Sequence, residues 1–153
     1  MLAAVVAALA SCQSKANKAA EAEADSIAIE AMSPTVEATE VYEGTLPAAD
    51  GPGIRYVLTL NMLADANDTT YTLDMTYLDA DGQGKDKTFT SAGKPQMIQK
   101  TVKNKKKSAL KLTPNDGSEP VYFVIANDTT LTLSNDSLQE AVSDLNYDIV
   151  RVK

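Results

Sequence analysis

Histidine and tryptophan are absent from this 153-residue chain, and cysteine occurs once. The chain therefore cannot form a His–Cys metal cage, a Ser-His-Asp or Cys-His catalytic group, or a disulfide within itself. Asp, Ser and Lys remain, but no spacing among them assembles a nucleophile, a base and an orienting group. The sequence predicts no catalytic residue, no metal site, no cofactor and no enzyme activity.

Basic residues are outnumbered by acidic ones. Lys and Arg total 14, Asp and Glu total 21, and the net charge is −7. Because phosphate binding needs a positive surface, this balance argues against nucleic acid as a partner. Aromatic residues make up only 5% of the chain, but a hydrophobic fraction of 44% is enough for one modest core. The length favours a single domain.

The N-terminus carries the longest apolar run. Residues 1–11 are too short to span a bilayer, which needs about 20 apolar residues, but they fit the apolar region of a secretory signal peptide. Leu9, Ala10, Ser11 and Cys12 match the bacterial lipobox. No Lys or Arg precedes the run, which we attribute to a start codon placed too late.

Cys12 is accordingly the predicted lipidation site and the predicted membrane contact. The alternative is a buried structural cysteine in an apolar helix. Residues 13–40, which follow it, are too rich in Ala and Glu to continue a core. We expect residues 12–40 to form a lipid-anchored flexible tether with a reach of about 25–30 Å. A chain of this kind is expected at the outer membrane, facing the periplasm.

From residue 41 the hydrophobic pattern changes to a period of two. Alternate residues from Ile54 to Met62 are apolar, and the pattern resumes from Tyr71 to Tyr77 after a turn near residue 66. Further strands are predicted at 87–91, 97–103, 108–113, 120–126, 129–134 and 146–152, and a short helix at 136–144 capped by Asn135 or Asp136. Short strands at this spacing favour an all-β fold, a small antiparallel meander barrel over residues 41–153. The residues expected to fill it are Tyr42, Leu46, Tyr56, Leu58, Leu60, Tyr71, Leu73, Met75 and Leu133.

Residues 42–54, YEGTLPAADGPGI, resemble the opening of the NlpE-like copper-resistance lipoproteins. That family's pattern is roughly aromatic-x-Gly-x-Leu-Pro-Cys-Ala-Asp-Cys-x-Gly-Ile, and the resemblance covers about residues 41–153. It implies a lipocalin-like barrel on an outer-membrane lipid anchor. The matching loop residues are Leu46, Pro47, Asp50, Gly53 and Ile54, to which we transfer a turn-forming role.

The chain departs from the family at the Cys-x-x-Cys positions, which hold Ala48 and Gly51. A Cys-x-x-Cys pair can form a disulfide or bind a soft metal, and Ala and Gly can do neither. The thiol-based roles of the family are therefore not expected here. A copper site of methionine thioethers is also disfavoured, since the predicted pairing places Met62 and Met75 about 16 Å apart.

Positive charge is concentrated in residues 85–111, which hold nine lysines and one acid. The candidate docking patch lies on a predicted hairpin with Asn104 in its turn, and consists of Lys100, Lys103, Lys105, Lys106 and Lys107. A docking patch would project as a continuous cationic face toward anionic headgroups or an envelope protein partner. The alternative is an exposed strand edge, where the lysines only prevent pairing with a strand of another molecule.

Two functions remain open at this point. The first is a non-enzymatic contact protein in envelope stress sensing or copper-related homeostasis. The second is a lipocalin-like carrier with a small apolar ligand in the barrel mouth, lined by tyrosines. A solid interior would favour the first, and a cavity of several hundred Å³ the second.

Overall fold

The computed structural model describes residues 35–64 and 68–153. The predicted signal peptide, Cys12 and the predicted tether up to residue 34 lie outside the described residues. Eight strands make up the described fold: β1 (Val36–Leu46), β2 (Ile54–Leu63), β3 (Thr70–Tyr77), β4 (Lys87–Val102), β5 (Lys105–Pro114), β6 (Val121–Asn127), β7 (Thr130–Ser134) and β8 (Asp148–Arg151). The first strand thus includes residues 36–40, which the sequence assigned to the tether.

The strands form a closed antiparallel barrel in which each strand pairs with its neighbours in sequence. β8 returns to β1 and closes the ladder, with Tyr42 opposite Arg151. At this seam a Cβ on Gly44 would lie 2.4 Å from the carbonyl oxygen of Asp148, so only glycine permits the close approach. The predicted small meander barrel is confirmed.

Successive turns of a meander alternate between its two ends. We call the end with the β2–β3, β4–β5 and β6–β7 turns the mouth end, and the end with the β1–β2, β3–β4 and β5–β6 turns the loop end. Val36 pairs with Leu63 beside the β2–β3 turn. The chain therefore enters the barrel at the mouth end.

The interior follows the alternation read from the sequence. Asn61 lies opposite Thr70, and Tyr56 lies opposite Met75, within one residue of the predicted register. The buried core comprises Tyr42, Leu46, Tyr56, Leu58, Leu60, Tyr71, Leu73, Leu112, Phe123, Leu131 and Ile149. Of the residues expected inside, Met75 and Leu133 are only partly buried against this core.

The β7–β8 connection, residues 135–147, packs on the outside of the barrel. Leu138 is fully buried against Ala109 and Val124, forming a second small cluster. The helix predicted at 136–144 is wrong. Asn135 Oδ1 accepts hydrogen bonds from the backbone N–H groups of Ser137 and Gln139, and Leu138 adopts a φ of 58°. The expected capping residue thus closes a local turn, and the buried leucine follows with a left-handed backbone.

Candidate functional site

The β1–β2 loop contains the residues that carry the family resemblance. Leu46 is buried at the end of β1, and Ile54 begins β2. Gly53, between them, has a φ of 150°, and its carbonyl accepts a hydrogen bond of 3.1 Å from Leu78 N–H. Pro47 is partly buried and Asp50 is exposed. The strands thus end in a paired Leu46 and Ile54, and the loop of residues 47–53 is tied to the neighbouring β3–β4 turn through Gly53.

The two positions of the missing thiols lie in the same loop. Gly51, at the second of them, has a φ of 121°, a conformation that L-residues rarely adopt. The backbone here is therefore specialised for glycine as well as lacking a sulfur atom. Within residues 35–64 and 68–153, no three His, Cys, Asp or Glu side chains lie together as a group able to hold a metal ion.

A cavity of about 450 Å³ opens at the mouth end. Its walls and rim are formed by Glu40, Tyr42, Leu60, Met62, Thr69, Pro95, Met97, Leu110, Ile125, Asn127, Asp128 and Leu131. Below it, Leu58, Leu73 and Phe123 are fully buried. The cavity is therefore a shallow bowl above a filled core rather than a lumen that runs through the barrel.

The rim of the mouth holds a short polar network. Glu40 lies 2.9 Å from Arg151 Nη1 and accepts a hydrogen bond of 3.1 Å from the Tyr42 hydroxyl. Burial raises the pKa of Tyr42, and the hydrogen bond to Glu40 raises it further. The network thus joins Tyr42 and Arg151 to the Glu40 carboxylate at the seam between β1 and β8.

Methionine lies at both ends of the barrel. Met62 and Met97 line the mouth, whereas Met75 borders a separate cavity at the loop end with Phe89 and Asp116. The predicted separation of Met62 and Met75 thus agrees with the strand register. Met97 was missed in the sequence as a mouth residue, although it continues the alternation from Gly93 through Pro95.

The predicted lysine hairpin is the tip of a two-stranded arm. β3 pairs with β4 only as far as Gly93, and β6 pairs with β5 only from Ala109 onward. Residues 94–102 and 105–108 therefore lie beyond the paired parts of β3 and β6, and we call them the basic arm. Lys103 and Asn104 have φ values of 49° and 64°, which identify the two-residue turn of a hairpin.

The lysines of the arm do not form one continuous face, contrary to the expectation. Lys100 lies opposite Lys107, and Lys106 lies opposite Thr101. Because side chains alternate along a strand, Lys106 points away from the face that carries Lys100, Lys105 and Lys107.

Two of these lysines are already engaged. Lys107 Nζ lies 2.8 Å from Glu140 Oε1, and Lys100 Nζ donates to the carbonyl oxygen of Asp136 at 2.5 Å. Lys103, Lys105 and Lys106 are exposed. The free charge of the candidate patch is therefore concentrated at the arm's tip.

A buried tyrosine is the remaining polar feature of the interior. Tyr71 is 1% exposed, and its hydroxyl has no hydrogen-bond partner among the described residues. Burial raises the pKa of Tyr71, an effect that the nearby Ser91 side chain partly offsets, and burial also raises the pKa of Tyr56. Neither hydroxyl is suited to give up a proton near neutral pH, so neither is a candidate nucleophile or base.

The fold and its loops define a class: a small closed antiparallel barrel with a filled interior, a shallow mouth and no thiol in its β1–β2 loop. The sequence model of the NlpE N-terminal domain matches residues 42–144. The chain therefore belongs to the NlpE family, and it is an NlpE-like protein of the cell envelope. No curated protein and no solved structure matches the chain. Across the described residues, no helix has the length and apolar character needed to cross a membrane.

Proposed function

We propose that this protein is a lipid-anchored, non-enzymatic protein of the outer membrane that faces the periplasm and acts in envelope stress sensing by contact with another envelope protein. Cys12 is the proposed attachment point. Membership in the NlpE family supports the envelope setting.

The filled interior is the observation that supports action by contact. Leu58, Leu73 and Phe123 are fully buried, and Tyr56 packs edge-to-face on Phe123 across the barrel. With the centre occupied, the outer surface, the loops and the basic arm are the parts left to meet a partner.

The test is a stress-response reporter in a bacterial host that expresses the full chain. We expect reporter activity to rise with wild-type protein and to change with Cys12→Ser, since that variant cannot be acylated. Mass spectrometry of the wild-type protein should show an acylated N-terminal cysteine. An unchanged reporter despite a folded, acylated protein would overturn the stress-sensing proposal.

Copper-related homeostasis is the other branch of the family's role. A thiol site is not available at Ala48 and Gly51, so this branch would need the thioethers of Met62 and Met97 at the mouth. Titration with copper(I) under reducing conditions decides between the branches. We expect no tight site, and micromolar or tighter binding that Met62→Leu abolishes would favour the copper branch.

The mouth supports a second candidate function, carriage of a small apolar ligand. Its volume of about 450 Å³ lies within the usual range for ligand sites, and apolar side chains form most of its wall. A fluorescent fatty acid is a direct probe. Saturable binding at one site that Leu60→Trp removes would favour the carrier, whereas unchanged fluorescence would exclude it for this class of ligand.

A further inference from the structure

The two ends of the barrel differ in charge. The turns at the loop end, residues 47–53, 78–86 and 115–120, carry six acids and one cation. The acids are Asp50, Asp79, Asp81, Asp86, Asp116 and Glu119, and the cation is Lys85. The turns at this end of the molecule are therefore anionic.

The basic arm lies at the opposite end and is cationic, although the β2–β3 and β6–β7 turns beside it carry Asp65, Asp68 and Asp128. Residues 94–108, the arm with its turn, contain six lysines and no acid. Two of the nearby acids are paired, Asp68 with Lys94 and Glu40 with Arg151. Three exposed lysines of the arm have no ion pair or side-chain hydrogen bond among the described residues, and we call them the cationic tip: Lys103, Lys105 and Lys106.

The tip has the reach and the support to meet a surface. The four residues Lys105–Ser108 extend about 13 Å past the last β5–β6 pair at about 3.3 Å per residue. On one side the arm contacts the β7–β8 connection through the Lys107–Glu140 ion pair. The tip is thus carried by a two-stranded ladder, with Lys103 and Lys105 bordering a cavity that residues 139–143 of that connection also line.

The path of the chain gives the arm its direction. β1 enters at the mouth end, with Val36 beside Leu63, and the β4–β5 turn lies at that same end. A membrane anchor on the segment before Val36 would pull this end, rather than the anionic loop end, toward the bilayer. The charge of the arm and the path of the chain therefore both favour an orientation with the mouth end toward the bilayer.

We infer that the cationic tip binds anionic phospholipid headgroups and holds the barrel with its mouth end toward the membrane and its anionic loop end away from it. The inference rests on the proposed anchoring for its setting, but the binding is electrostatic and does not need the acyl chains. An anionic lipid surface is favoured over an acidic protein because the tip lies at the end where the chain leads to Cys12.

Cosedimentation with vesicles tests the binding. The full chain carrying Cys12→Ser, which cannot be acylated, is mixed with phosphatidylglycerol-containing vesicles and with neutral phosphatidylcholine vesicles. The test variant replaces Lys103, Lys105 and Lys106 with Gln. The matched control replaces Lys85, Lys87 and Lys111 with Gln and so removes the same charge elsewhere.

We expect the tip variant to bind anionic vesicles roughly 100-fold more weakly, and the control to bind nearly as well as the parent chain. Binding of the parent should fall steeply with salt, since exposed charges are screened beyond about 8 Å at physiological ionic strength. Equal losses in both variants, or equal binding to anionic and neutral vesicles, would overturn the inference. Negligible binding of the parent chain to anionic vesicles at low salt would also overturn the inference. An acidic protein would then be the partner to test.

Orientation has its own readout. The Cys12→Ser chain has no thiol, so a single cysteine at Thr101 in the arm or at Gln83 in the β3–β4 turn can carry an environment-sensitive dye. Anionic vesicles should shift the emission at residue 101 and leave residue 83 unchanged, and the reverse pattern contradicts the inference. Because this chain is unlipidated, failure here is distinct from failure of Cys12 acylation or of the stress reporter.

Discussion

Tyr56 and Phe123 meet edge-to-face, with ring centroids 6.2 Å apart and ring planes at 83°. They lie on β2 and β6, which are separated by three strands in either direction around the barrel. Their contact therefore spans the centre of the fold. Aromatic pairs in this geometry contribute about 0.5–1.5 kcal/mol beyond the burial of their area.

Shortening a side chain at the centre should destabilise the barrel. Leu58 and Leu73 lie opposite each other and are both fully buried, so Leu58→Ala or Leu73→Ala should cost about 2–5 kcal/mol of unfolding free energy. Urea unfolding followed by circular dichroism measures the loss. Val142→Ala is the control, since Val142 is 100% exposed and its loss should stay within about 0.5 kcal/mol. Similar values for all three variants would contradict the described core.

Removing the unpartnered hydroxyl should not weaken the protein. Tyr71→Phe deletes a buried polar atom that has no hydrogen bond, so the free energy of unfolding should stay constant or rise by up to about 1 kcal/mol. Tyr42→Phe instead deletes the hydrogen bond to Glu40 and should lower it by about 0.5–1.5 kcal/mol. A loss at Tyr71 equal to that at Tyr42 would show that the Tyr71 hydroxyl is bonded in solution.

Alkaline pH should unfold the barrel through its tyrosines. Burial raises the pKa values of Tyr56 and Tyr71 above 10.0, so above that pH the folded state retains protons that the unfolded state releases. Their contribution to stability is complete below pH 10 and is lost as the pH rises through the folded-state pKa values. Urea unfolding at steps from about pH 8 to about pH 12 measures the decline. Tyr56→Phe should make the decline shallower, and an unchanged slope would exclude Tyr56 as a cause.

Placing a cysteine at residue 51, the second Cys position of the family pattern, should lower the free energy of unfolding because of the backbone conformation there. Gly51 has a φ of 121°, so Gly51→Cys should cost about 1–3 kcal/mol of unfolding free energy under reducing conditions. Ala48→Cys adds a sulfur to the same loop without that strain and should stay within about 0.5 kcal/mol. Equal effects at the two positions would show that the loop adapts freely to a side chain at residue 51.

The alternation of apolar and polar residues predicted the barrel well, because alternate side chains of a strand face the interior. This alternation predicted the β2–β3 register to within one residue, and it predicted the burial of Leu58 and Leu73. It failed at residues 136–144, where Asn135 or Asp136 was expected to cap a short helix. The fold instead buries Leu138 on the outer wall, a tertiary contact that no local period encodes.

The candidate sites were less predictable than the fold. The lysine cluster was visible as composition, but its division between two faces depends on the register of β4 with β5. The Lys107–Glu140 pair joins residues on separate elements, so only the folded chain shows that Lys107 is already neutralised. The mouth likewise combines residues from many strands, and Met97 becomes part of it only once β4 is placed.

The seam between β1 and β8 makes assembly dependent on the order in which the chain is delivered. Glu43 pairs with Val150, and Tyr42 pairs with Arg151, so the first and last strands form one ladder. A polypeptide that emerges N-terminus first, from a ribosome or a translocation channel, exposes an open sheet edge on β1 until residue 151 has emerged. Contacts this distant in sequence form slowly. Until then, the unpaired edge of β1 is the part of the chain that a chaperone would need to cover.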